Sequence, residues 1–209
     1  MNTKTLKYIA LLLILAGNFS SCEMKEDIIE DEDFPIYVWP EGPKYYYSFE
    51  NKIFLDEVLN KVIISFRKEY FSDIQAVLEK NTQVLQIESQ IDNNCCILTI
   101  AENSNKKAIM ENFKKLTGVK SVNPMYAVSG GLEMGITNEF VVQFKETASQ
   151  HKIDEIRKKY HVEIERTTEL FQVFSVPIYF NTLEVANVYQ ESGLVNFSHP
   201  NFIIEISLF

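Results

Sequence analysis

Side chains able to do chemistry are few in this 209-residue chain, and their spacing argues against a reaction. His151, His161 and His199 are the candidates for a general base. A base that activates a serine must lie within hydrogen-bond reach of it and beside an oxyanion hole. Local patterns put these histidines on a helix, near a helix end and in a closing strand, and no Gly-x-Ser-x-Gly elbow occurs. They read as surface or capping residues. Cys95 and Cys96 are neighbours in an apolar run, so in a strand their thiols point to opposite faces. A disulfide between them would need unusual backbone geometry, and a metal site would need further ligands. The expectation is one buried thiol and one partly exposed thiol. With no cysteine cluster and no phosphate-cradling glycine loop, a metal or nucleotide carrier finds no support. No catalytic residue, metal ligand or cofactor is expected.

Cys22 stands in a different setting. The opening "MNTKTLKYIALLLILAGNFSSC" carries Lys4 and Lys7, an apolar run from Tyr8 to Ala16 and small residues before Cys22. This is the pattern of a secretory signal, with an apolar centre too short for a comfortable membrane span. Ser20, Ser21 and Cys22 resemble the lipobox of bacterial lipoproteins, with Phe19 where that pattern usually has Leu. The resemblance implies that Cys22 is acylated, becomes the new N-terminus and holds the chain on the outer membrane; simple secretion and a retained anchor are the alternatives. "EMKEDIIEDEDF" then forms a solvated acidic spacer. Its Lys25, Glu26 and Asp27 resemble the surface-export signal of Bacteroidetes lipoproteins. Loss of residues 1–21 removes two lysines and no acid, which moves the formal charge from −9 to −11. Such a chain repels phosphate backbones, and no basic stripe interleaved with aromatics appears, so nucleic acid is not an expected partner.

The remaining residues must supply any binding surface. After the Pro-rich "FPIYVWPEGP", the stretch "KYYYSFENKIFL" alternates around Glu50 and Asn51 and predicts a hairpin. Its aromatics suit either packing or a carbohydrate platform. "KVIISFR" predicts a strand, and "FSDIQAVLEKN" a helix with Ile74, Val77 and Leu78 on one face and Ser72 as cap. "VLQIESQI" and "CCILTIA" predict a second hairpin. "NSNKKAIMENFKKLTG" follows as a helix through Ile109, Met110, Phe113 and Leu116, and "VKSVNPMYAV" closes the unit. "SGGLEMGITN" breaks the chain. The series then restarts: "EFVVQFK", a helix with Ile153, Ile156 and Tyr160 capped by Ser149, strands "VEIERTTELF" and "QVFSVPI", a helix capped by Asn181, and "LVNFSHPNFIIEISLF". Val119, Pro124 and Tyr126 return as Val195, Pro200 and Phe202.

The fold expectation is α+β, with two tandem ferredoxin-like βαββαβ domains, each an antiparallel sheet with its helices on one face. The boundaries are 1–21 (signal), 22–43 (acidic tether and Pro-rich linker), 44–130 (hairpin and first unit) and 131–209 (second unit). One face of each sheet is left to be covered by the other copy or by a partner.

This layout, with "NKIFL", "NEFVVQF" and the closing "VNFSHPNF", resembles the propeptide region of Bacteroidetes subtilisin-like (fervidolysin-type) serine proteases over residues 44–203. The catalytic domain of that family is absent, so the resemblance implies a non-enzyme. It implies a protein that binds a subtilisin-like protease in trans, as inhibitor or folding chaperone. In that family the open sheet face packs on the protease and the C-terminal segment lies in the substrate cleft. Here Phe209 would take the primary pocket, with Leu208, Ser207 and Ile206 upstream; alternatively Ile203, Ile204 and Ile206 simply continue the last strand. Two other readings are a remnant of a split or truncated protease gene and a cell-surface peptide- or glycan-binding adhesion module.

Overall fold

The computed structural model describes residues 44–90, 94–128 and 130–204, all within one compact unit, Ile36–Phe209. Cys22, the tether, and Ile206, Ser207, Leu208 and Phe209 lie outside the described residues. In chain order the elements are β1 (Lys44–Ser48), β2 (Asn51–Phe66), α1 (Phe71–Glu79), β3 (Val84–Gln90), β4 (Cys95–Ile100) and α2 (Lys106–Lys114). They continue with β5 (Val119–Ala127), β6 (Glu133–Phe144), α3 (Gln150–Lys159), β7 (Glu163–Thr167), β8 (Gln172–Ser175), α4 (Thr182–Glu191) and β9 (Val195–Ile204). The chain is α+β, and the strand pairings among the described residues are antiparallel. Strand order is β3-β4-β2-β5-β6-β8-β7, with β1 on β2 and β9 on β6.

The sequence echo has a structural counterpart. Pro124 faces Val62 and Pro200 faces Phe140, each just after a register shift. Val119 faces Phe66 and Val195 faces Phe144, each across a second shift. One backbone bond is also repeated, from Arg67 N to Gly118 O (2.8 Å) and from Lys145 N to Leu194 O (3.0 Å). A proline brings no ladder donor, so it fits where a strand's pairing is already irregular.

Two elements are longer than their sequence patterns predict. β2 fuses the hairpin strand and "KVIISFR" into 16 residues. β6 begins at Glu133, inside the expected break, and pairs Met125 with Gly135, Tyr126 with Met134 and Ala127 with Glu133. Gly130 (φ 103°) and Gly131 (φ 81°) make this reversal possible, since the left-handed region costs glycine little.

On the helix side, Val62, Ile64 and Phe66 pack against Ile74, Leu78, Ile109, Met110 and Phe113. Phe140, Val142 and Phe174 pack in the same way against Val185, Ala186 and Tyr189. Val77, expected on the buried face of α1, is 43% exposed. Ser72 lies inside α1 and Tyr70 holds the cap position; Ser149 holds the cap position of α3 without a side-chain hydrogen bond. Asn181 does cap α4, accepting from Leu183 N (2.9 Å) and Glu184 N (3.4 Å).

Away from the helices the two halves differ. Ile63, Cys95, Ile97 and Met125 form a buried cluster completed by Val58 and by Ile203 of β9. Gly135 crosses directly over it: a Cβ there would lie 2.5 Å from Ile63 Cδ1 and 3.0 Å from Met125 Sδ. Ser65 Oγ shares a 2.6 Å hydrogen bond with Ser121 Oγ and donates to Asn138 Oδ1 at 3.4 Å, and Asn123 Nδ2 donates to Ile136 O at 2.8 Å. The start of β6 and the end of β9 thus cover this face of the first half. Cys95 is consequently as fully buried as Cys96, which corrects the expected exposed thiol.

Candidate functional site

The corresponding face of the second half carries the candidate docking surface. Phe140, Val142 and Phe174 point to the helices, so Val141 and Val173, one residue out of phase, point away. Val141 faces His199 on one side and Val173 on the other, and Gln143 faces Phe197. Val141, Phe197 and His199 are half-buried, whereas Val173 is buried among its neighbours. The Phe197 and His199 rings stack at 5.6 Å and 22°, and His199 lies parallel to Phe202 at 6.4 Å and 6°. His199 Nδ1 is 2.9 Å from Pro200 O, a carbonyl that can only accept, so this nitrogen carries the proton. Polar pairs frame the aromatics: Asn196 Nδ2 donates to Gln143 Oε1 and Asn201 Nδ2 to Glu139 Oε2, both at 3.2 Å. The surface is a small apolar and aromatic strip with amide and carboxylate margins.

The outer edge of β9 is poorly suited to strand pairing. Ser198 N already donates to Gln190 Oε1 (2.7 Å), and Pro200 has no N–H. Ile203 and Ile204 are themselves paired with Gly135 and Met134. These two continue the strand; Ile206, the third residue of that expectation, lies outside the described residues.

The aromatic hairpin packs on the second half of the chain. Its turn lies at Phe49 and Glu50, one residue earlier than expected, because Ser48 pairs with Asn51. Tyr46 meets Phe202 at 4.7 Å. The hydroxyls of Tyr45 and Tyr47 donate to Glu191 Oε1 at 2.9 and 2.8 Å, and Lys52 Nζ lies 4.0 Å from the Tyr45 ring centre. Desolvation raises the Tyr47 hydroxyl above its ordinary value, and the Glu191 carboxylate adds to this. The Tyr45, Tyr46 and Tyr47 rings are half-buried, while Phe49 and Phe54 of the same hairpin are exposed.

His151 is exposed on α3 beside Glu155 (3.6 Å), and His161 follows the end of that helix, stacked on Phe180 at 6.1 Å. Among the described residues no group of three or more His, Cys, Asp or Glu could hold a metal ion. No helix among them is long and apolar enough to cross a membrane. Sequence reading missed the Phe197–His199 strip as a site, although its signal was present: in "VNFSHPNF" these two residues alternate with the buried Ser198 and Pro200. Compared with protein-family models, with curated proteins and with solved structures, the chain matches none.

Proposed function

We propose that this chain is a non-catalytic lipoprotein of the cell envelope that binds a subtilisin-like protease in trans, as inhibitor or folding chaperone. Its two halves are read as ferredoxin-like units, a reading supported by the shared strand orders β3-β4-β2-β5 and β7-β8-β6-β9. The observation that carries the functional reading is the difference between the two far faces. On the first half the apolar centre of that face is buried by the chain itself, while on the second Val141, Phe197 and His199 stay half-buried. A half-exposed aromatic strip on a sheet suits a helix or apolar surface of a partner. The C-terminal segment, with Phe209 in the primary pocket and Leu208, Ser207 and Ile206 upstream, would add backbone pairing in the cleft. Acylation of Cys22 would hold the complex at the outer membrane.

The test is inhibition of a panel of purified subtilisin-like proteases by the chain from residue 23 onward. Dose-dependent inhibition is expected, weakened when residues 206–209 are removed. The deletion stops there because Ile203 belongs to the core. Failure to slow or assist the folding of any member overturns the proposal.

A further inference from the structure

We infer that the tip of the β1–β2 hairpin is a membrane-contact point, with Phe49 entering the interfacial layer of the bilayer in which the N-terminal anchor would sit. The inference rests on the lipid-anchor part of the function proposed above and not on the protease. Phe49 is unfavourable for folding in two independent ways. Its φ of 56° is in the left-handed region, which bulky side chains rarely adopt and which glycine or asparagine would fill more easily. Its ring is also 78% exposed, although a large apolar side chain gains from being covered. Strain of this kind persists where surrounding contacts impose it. Here Gln190 Nε2 donates to Phe49 O at 3.2 Å and the Tyr45 and Tyr47 hydroxyls tie the hairpin to Glu191. A rigid hairpin thus holds an apolar ring outward at a site where a polar turn residue would serve the fold better.

Three features favour lipid over a protein partner. The tip offers one ring, with Phe54 (58% exposed) further down the same hairpin, too little apolar surface for the core of a protein interface. Behind it stand Tyr45 and Tyr47, whose amphipathic rings suit the depth of the headgroups. And the hairpin is the first described element after Cys22: the 22 residue steps from Cys22 to Lys44 span at most about 75 Å, so an anchored chain can bring the tip to its own membrane. A single ring binds weakly in free solution, but tethering supplies the high local concentration that makes weak insertion effective. Insertion of this kind needs no anionic lipid, which the net charge of −11 left after loss of residues 1–21 would repel.

The experiment places a Phe49→Trp reporter in a Trp39→Phe background. The protein carries a His-tag in place of Cys22 and is tethered to nickel-chelating phosphatidylcholine vesicles containing brominated lipid. Strong quenching of this reporter is expected, with none for a Leu170→Trp control at another exposed apolar position. Phe49→Asn is expected to unfold at the same temperature as the parent or higher. Equal quenching of both reporters or of neither overturns the proposal. So does a blue-shifted Phe49→Trp emission without vesicles, which would mean protein contact, or a lowered unfolding midpoint in Phe49→Asn. Mass spectrometry of Cys22 in the native protein reads the anchor separately: a missing acyl group refutes the anchor, while the tag-tethered protein still reports on the tip.

Discussion

Cys95 shows how much a single side chain depends on what lies across from it. Desolvation, and after it Cys96, push its thiol up from its ordinary value to about 12 in the fold. The folded state keeps a proton that the unfolded chain releases, so this stability is fully present below pH 9 and is lost as pH rises toward 12. Urea unfolding as a function of pH is therefore expected to show stability falling from about pH 9, and Cys95→Ala to flatten the limb between 9 and 10. Above that, Tyr126 and Tyr189, also raised by burial, add their own loss. The adjacency of the two thiols was legible in the sequence. The burial of both was not, because Ile203, which completes the pocket of Cys95, lies more than a hundred residues away.

Among the described elements, hydrophobic spacing placed the four α-helices and the order of the strands along the chain, since periods of 3.6 and 2 are local properties of the chain. Caps were less legible. Ser72, Ser149 and Asn181 are all plausible cap types, yet only Asn181 makes the bonds. Asn181→Ala is expected to cost about 1 kcal/mol, and Ser149→Ala close to nothing, in chemical denaturation. The extension of β6 back to Glu133 was hidden by the glycines and polar residues of "SGGLEMGITN". These read as a break because the strand's neighbours, β5 and the far face of the first half, are invisible to local pattern. The Phe197–His199 strip was legible in part: its alternation with Ser198 and Pro200 is local, whereas how far its face is covered depends on distant residues.

At the scale of the whole molecule, the two halves share clusters and do not stand as separate bodies within the compact unit. Leu55, Tyr126, Met134, Ile136 and Leu183 pack as one group, and Val58 and Ile203 meet over Ile63 and Met125. Thermal unfolding is accordingly expected as one cooperative transition by calorimetry and by circular dichroism; two resolved transitions would contradict the shared core. Gly135→Val, which forces a side chain into Ile63, is expected to destabilise the whole unit by about 1–3 kcal/mol without splitting that transition. Under the proposed function, the half-open face of the second half is where a partner would sit.

That assignment is tested most directly by the inhibition constant of Phe197→Asp against a subtilisin-like protease that the unaltered chain inhibits. A charge on the aromatic strip is predicted to weaken inhibition at least tenfold, about 1.4 kcal/mol, in a variant that keeps the parent's fold by circular dichroism. Inhibition equal to that of the parent, by a variant shown to be folded, would contradict docking through this face.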